Sequence, residues 1–118
     1  MTPYEGRHLI ADLHGCAHLD DVAYVEAALI AAAQAAGATV LEARMHGFGP
    51  GQGVTGMVLL AESHISIHSW PEHGYAAVDI FLCGRRHDLD AALASIAAAL
   101  GGTVAQRTLI ERGYSALA

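Results

Sequence analysis

The chain has 118 residues, of which 53% are hydrophobic and 15% are charged, and this composition favours a single globular domain over residues 1–118 rather than a disordered chain. Twelve acidic residues against six basic ones give a formal net charge of −6, which argues against nucleic acid as a partner. No apolar run reaches membrane-spanning length and the first residues lack the parts of a signal peptide, so we expect no membrane partner and a cytoplasmic location.

The first predicted element is a strand over residues 8–13, which ends at a His-Gly turn. A helix follows, because Asp20 and Asp21 provide an N-cap and a first-turn acid, apolar residues then recur at helical spacing, and Gly37 ends the run. A second strand, residues 39–45, leads into the loop HGFGPGQGVTG, residues 46–56. Its glycines indicate irregular structure over most of its length.

Two short strands, residues 57–60 and 65–68, and a third strand, residues 75–82, come after the loop. Asp88 then begins a second helix over residues 89–100. A strand over residues 103–109 completes the order β-α-β-β-β-β-α-β. This order predicts an α+β fold, a two-layer sandwich with two helices on one face of a mainly antiparallel sheet.

The segment AESHISIHSWPE, residues 61–72, concentrates polar side chains between apolar strands. A zinc site is one interpretation, since His64 and His68 share a strand face and Glu72, His73 and Cys83 lie nearby in sequence. However, four residues of strand span roughly 13 Å, which is too far for two ligands of one ion unless the strand bends sharply. We therefore expect no metal.

Two further interpretations use the same residues. Ser63 or Cys83 with a histidine base would make a hydrolase, but no Gly-x-Ser-x-Gly turn surrounds Ser63. A binding module without chemistry would use these polar residues only to cover a sheet face, and this interpretation stays open.

The absence of lysine separates two kinds of amine chemistry. Enzymes that use pyridoxal phosphate hold it through a lysine, whereas all six basic residues here are arginines, so we expect no pyridoxal phosphate. A serine can supply a carbonyl instead: its hydroxyl attacks the preceding peptide carbonyl, the resulting ester is eliminated, and the dehydroalanine left behind hydrolyses to a pyruvoyl group. This needs a held serine and a nearby base, and Glu62-Ser63 followed by His68 contains both.

The segment ESHISIHSWPEHGYAAVDIFLCG, residues 62–84, resembles the signature of the short prokaryotic S-adenosylmethionine decarboxylase proenzymes. Arg7-His8-Leu9, Gly37-Ala38-Thr39 and Val54-Thr55-Gly56 also stand where that family has similar residues. The resemblance implies a carboxy-lyase that is made as a zymogen and forms decarboxylated S-adenosylmethionine for spermidine and other polyamines. The alternatives are an ornithine or arginine decarboxylase of the pyruvoyl type, and a processing-dead homologue that binds a ligand.

By this resemblance, autocatalytic cleavage between Glu62 and Ser63 gives a β chain of residues 1–62 and an α chain of residues 63–118. The α chain begins with a pyruvoyl group derived from Ser63, with which the substrate amine forms a Schiff base. His68 is the implied base of the elimination step.

The remaining implied roles concern the substrate. Cys83 returns a proton to the substrate after carbon dioxide leaves, Glu72 accepts hydrogen bonds from the ribose hydroxyls, and Phe48 stacks on the adenine. Thr55 stands where the family often has a serine that assists processing. The family resemblance further implies a homodimer of processed αβ units with the sites at or near the subunit interface.

Overall fold

The computed structural model describes residues 5–83 and 86–113; Gly84, the last residue of the signature segment, lies outside them. The described residues form the predicted element order, so the predicted fold class is confirmed. The elements are β1 (Glu5–His14), α1 (Val22–Ala35), β2 (Val40–Gly47), β3 (Val54–Leu60), β4 (Ser63–Trp70), β5 (Tyr75–Cys83), α2 (Leu89–Leu100) and β6 (Thr103–Gly113), with a 3-10 turn at Pro71–His73 between β4 and β5.

Both α-helices begin at aspartates, α2 at Asp88 as predicted and α1 one residue later than predicted, with Asp21 rather than Asp20 as its N-cap. The Asp21 carboxylate accepts a hydrogen bond from the backbone N–H of Tyr24 at 3.1 Å, and Asp88 accepts one from Ala91 at 3.0 Å. Each bond satisfies a donor that the first helical turn leaves unpaired. α2 ends at Gly101, which has φ 69°, a conformation that glycine adopts without steric cost. Among the described residues, no helix is both long enough and apolar enough to span a membrane.

The six strands form one antiparallel sheet in the order β2-β3-β4-β5-β1-β6. Along β1, β3, β4 and β5, buried residues alternate with more exposed ones. The buried set packs with α1 and α2 into the core, so we call that side of the sheet the helix side and the other the open face. The open face carries His8, Ile10, Thr55, Met57, Leu59, His64, Ser66, His68, Trp70, Asp79 and Phe81.

Strand pairing extends two strands beyond their predicted bounds. β3 begins at Val54 and β4 begins at Ser63, because Thr55 pairs with His68 and Leu60 pairs with Ser63. The irregular part of the glycine-rich loop therefore shrinks to residues 48–53. As a consequence, Ser63 is the first residue of a strand, directly after the short turn that joins β3 to β4.

Candidate active site

The predicted scissile bond lies in that turn, between Glu62 and Ser63. Glu62 has φ 62°, in the left-handed region that residues with a side chain rarely adopt. This conformation costs about 1 kcal/mol for a residue other than glycine. The peptide bond that the sequence predicts to be cut therefore begins at a strained residue and ends at one held in the sheet.

Cys83, at the end of β5, contacts both sides of this bond. Its backbone N–H donates a hydrogen bond to Ser63 Oγ at 3.0 Å, and its thiol donates to the Glu62 carbonyl oxygen at 2.7 Å. A donor on a carbonyl oxygen stabilises the negative charge that develops there during attack. One residue thus positions the hydroxyl oxygen and polarises the carbonyl that it would attack.

The other cysteine is not part of this arrangement. Cys16 and Cys83 are both free, and Cys16 packs against the core. Burial raises the pKa of the Cys16 thiol, which reduces its reactive thiolate fraction near neutral pH. Cys83 is therefore the cysteine whose thiol is available for chemistry at the predicted scissile bond.

A second pair of predicted site residues lies on β3 and β4. Thr55 and His68 are direct cross-strand neighbours, and Thr55 Oγ1 lies 3.2 Å from His68 Nδ1. The imidazole is exposed on the open face. The hydroxyl in contact with it fixes the ring and leaves Nε2 accessible, which suits a group that moves protons.

The Ser63–Cys83 pair and the Thr55–His68 pair do not meet within one chain. Ser63 and His68 are five residues apart on β4, a separation of about 17 Å along a strand. His68 is therefore out of reach of its own chain's Ser63, although sequence proximity predicted that the two would act together.

The predicted substrate contacts lie at the His68 end. The Phe48 backbone N–H donates to the Gly53 carbonyl at 3.1 Å, and Gly53 lies against Pro71, whose Cδ would be 3.6 Å from an added Cβ. The glycine-rich loop thus packs beside the 3-10 turn that carries Glu72. The Phe48 ring is 60% exposed and the Glu72 carboxylate is exposed too, so both side chains are available to a ligand.

A polar cluster in the middle of the open face was not predicted. Asp79 accepts hydrogen bonds from Ser66 and His8, and both of its oxygens lie 3.2 Å from His64 Nε2. Burial raises the pKa of Asp79, but the Ser66 and His8 hydrogen bonds and the neighbouring His64 lower it more, so the pKa lies below its ordinary value. The sequence signal was the alternation of His64, Ser66 and His68 on β4, and single polar residues on β1 and β5 join it only once the strand register is known.

Comparison with known proteins supports the same family as the signature segment. A family model described as S-adenosylmethionine decarboxylase matches residues 7–113. The S-adenosylmethionine decarboxylase proenzyme 2 of Halalkalibacterium halodurans is 46% identical over 110 residues, which cover 92% of this chain and 86% of that protein. The S-adenosylmethionine decarboxylase proenzyme of Parasynechococcus marenigrum is 58% identical over 81 residues, 67% of this chain and 62% of that protein.

A solved structure agrees at the level of the fold. The crystal structure of the adenosylmethionine decarboxylase from Aquifex aeolicus superposes with a TM-score of 0.72 at 33% identity, and the match covers 95% of this chain and 92% of that one. Sequence and fold thus give the same assignment over nearly the whole chain: it belongs to the S-adenosylmethionine decarboxylase family.

Proposed function

We propose that this protein is a self-processing, pyruvoyl-dependent decarboxylase of S-adenosylmethionine. Its product would be decarboxylated S-adenosylmethionine, the aminopropyl donor for spermidine and other polyamines. One observation carries the processing step: Cys83 contacts both the Ser63 hydroxyl and the carbonyl of Glu62, which itself has a strained backbone. Relatives named as proenzymes of this decarboxylase support the substrate.

Processing needs only groups of this protein and one water molecule. Ser63 Oγ attacks the Glu62 carbonyl carbon, the peptide nitrogen takes a proton, and an ester replaces the amide. A base then removes the Ser63 Cα proton and the Glu62 carboxylate leaves. Addition of water to the resulting dehydroalanine releases ammonia and leaves the pyruvoyl group at the new N-terminus. The Cys83 thiol on the carbonyl oxygen lowers the barrier to the first step, and cleavage relieves the backbone strain at Glu62.

The surroundings of Ser63 fit such a group. When present, the pyruvoyl group supplies an electron-withdrawing carbonyl that takes the place of pyridoxal phosphate. The Cys83 thiol lies 2.7 Å from the Glu62 carbonyl oxygen, beside the bond whose cleavage would create the pyruvoyl group at residue 63. That thiol is therefore placed to protonate the substrate's α carbon after carbon dioxide leaves.

The separation of the two residue pairs supports a homodimer with shared sites. Ser63 and Cys83 lie at one end of β4, and Thr55, His68 and the substrate contacts lie at the other. A two-fold axis through the open face brings the His68 end of one chain over the Ser63 end of its partner, and the same operation makes a second, equivalent site. Exposed apolar side chains on this face, including Ile10, Met57 and Leu59, favour its burial against a second copy.

Intact-mass measurement tests processing. Freshly purified protein should resolve into chains of residues 1–62 and 63–118, the second beginning with a pyruvoyl group. The Ser63→Ala variant should remain one full-length species. A wild-type chain that persists at full length on incubation would support a processing-dead homologue, and a Ser63→Ala variant that is still cut would place the cleavage elsewhere.

Co-expression of two inactive variants tests the shared site. In a mixed dimer of Ser63→Ala and His68→Ala chains, one site joins an intact Ser63 to the partner's intact His68. With random pairing, about half of the His68→Ala chains should be cut while every Ser63→Ala chain stays intact. As a control, His68→Ala chains paired with the Ser63→Ala/His68→Ala double variant should stay uncut. No cleavage in the first mixture would contradict a site shared in this way.

Substrate choice is tested by carbon dioxide release. Release from S-adenosylmethionine should far exceed release from ornithine or arginine with the same processed protein. A processed enzyme that is inactive on S-adenosylmethionine and active on one of the amino acids would replace the proposed substrate while leaving the processing chemistry in place.

A further inference from the structure

We propose that His8, His64 and Asp79 form a binding site for a divalent transition-metal cation of the Zn²⁺ class. These residues lie in the middle of the open face and take no part in the processing or decarboxylation chemistry assigned above. Sequence spacing favoured no metal, because His64 and His68 lie roughly 13 Å apart along one strand. The strand register instead supplies ligands from three adjacent strands, β4, β5 and β1.

The distances suit one small ion. One ligand atom from each of the three side chains can be chosen so that all lie within 4.8 Å of one another, and His64 Nε2 lies 3.2 Å from each carboxylate oxygen of Asp79. Two ligands at about 2.1 Å from a tetrahedral Zn²⁺ are about 3.4 Å apart. The side chains therefore need only small rotations to share an ion.

The backbone holds the three ligands on neighbouring strands. His8 on β1 and His64 on β4 pair with the same β5 residue, Phe81, from opposite sides, and Asp79 is two residues before Phe81 on the same face. Both imidazoles also contact the Phe81 ring, with centroids 5.4 and 5.9 Å away. The ligand arrangement is thus set by strand pairing and needs no loop to fold around the ion.

The donor types fit the same class of cation. Two imidazoles and one carboxylate are a common ligand set for Zn²⁺ and its neighbours, whereas Mg²⁺ and Ca²⁺ prefer oxygen alone. Ser66 donates a hydrogen bond to Asp79 and would orient it as outer-shell partners orient metal-bound carboxylates. Side-chain exposures of 18% for His8, 31% for His64 and 28% for Asp79 show that the three side chains reach the surface of the open face.

One neighbouring cation must move when metal binds. Arg112 Nη1 lies 3.3 Å from His8 Nδ1, and its guanidinium lies 5.6 Å from the Phe81 ring centroid. A histidine that binds metal through Nε2 carries its proton on Nδ1, which removes the acceptor for Arg112. Because Arg112 is exposed on β6, its side chain has room to turn into solvent.

The test is metal titration of the whole protein, purified without a polyhistidine tag and stripped with a chelator. Calorimetry with Zn²⁺ should give one saturable site per chain, and Co²⁺ should give the visible absorption of a low-coordinate site. The His64→Gln variant keeps a group that can bond Asp79 but removes an imidazole ligand, and Asp79→Asn removes the carboxylate charge. Each should weaken Zn²⁺ binding by at least about tenfold.

His73→Ala is the matched control, since His73 is an exposed histidine of the 3-10 turn, and its Zn²⁺ affinity should equal that of the wild type. Zn²⁺ should also raise the melting temperature of the wild type more than that of Asp79→Asn. Absence of saturable binding, equal affinity in the wild type and His64→Gln, or equal thermal stabilisation of Asp79→Asn would overturn the proposal. These readouts do not depend on decarboxylation, so they remain decisive if the proposed function fails.

Discussion

The two faces of the sheet are built from alternate residues of the same strands, yet they have different tasks. On β4, Ile65 and Ile67 are fully buried against the helices, while His64, Ser66 and His68 lie on the open face. A strand separates its neighbours in sequence onto opposite sides. The fold therefore depends mainly on one set of residues, and the proposed chemistry depends mainly on the other.

The largest expected effect is on the open face. In His68→Ala, we expect the rate of self-cleavage to fall about 10²–10⁴-fold, because a positioned base contributes about that much. The free energy of unfolding, measured in an uncut Ser63→Ala background, should change by less than about 0.5 kcal/mol, since the side chain is exposed. Intact mass over time gives the cleavage rate, and urea unfolding gives the stability. Cleavage at the wild-type rate would remove His68 from processing.

Ile67, the neighbour of His68 on β4, should show the opposite behaviour, with its main effect on stability. Ile67→Ala removes a fully buried side chain from the core and should lower the free energy of unfolding by about 2–5 kcal/mol. Urea unfolding in the same uncut Ser63→Ala background measures this loss, and the value is compared with that of His68→Ala. A loss below about 1 kcal/mol, within the usual range for a surface substitution, would mean that the helix side does not carry the stability of the fold.

The sequence predicted features that depend on nearby residues better than contacts that depend on strand pairing. Helix starts at Asp21 and Asp88 depend on nearby residues only, and the sequence placed the second correctly and the first to within one residue. The Thr55–His68 contact joins residues 13 apart, and the His8–Asp79 contact joins residues 71 apart. Such contacts require the register of paired strands, which composition and periodicity do not specify.

The separation of Ser63 from His68 was also missed, for a physical reason. Five residues are close in sequence but distant in an extended strand. The prediction that the two act together treated proximity in sequence as proximity in space. The predicted site residues instead fall into two groups, at the Ser63 and His68 ends of β4, and a second chain is the simplest means of joining them.

Ser69 is a polar exception on the helix side, and its substitution tests whether a buried polar residue also contributes to stability there. It is 7% exposed, its Oγ accepts a hydrogen bond from the Val54 N–H at 2.9 Å, and it donates to the Leu19 carbonyl at 2.8 Å. Ser69→Ala leaves both backbone groups without this partner and should cost about 1–3 kcal/mol of unfolding free energy. Thermal and urea unfolding check it. A change below about 0.5 kcal/mol would show that the hydroxyl is dispensable there.

Met57 is the corresponding exception on the open face, an apolar side chain that is 40% exposed. Met57→Thr should barely alter the folding of one chain, because threonine suits a strand and little is buried there. If the open face is the dimer interface, each copy loses about 1 kcal/mol of apolar burial and a two-fold axis counts the loss twice. The dimer dissociation constant should then rise about thirtyfold, measured by sedimentation velocity over a dilution series.

Val22→Thr provides the control for Met57, because Val22 is 37% exposed in the helical layer, away from the open face. Its dimer dissociation constant should equal that of the wild type. Equal effects of the two substitutions, or none from either, would mean that the open face is not the surface that a second copy covers. The open face would then lack the partner's His68, and processing would have to find its base within a single chain, where the strand geometry keeps His68 about 17 Å from Ser63.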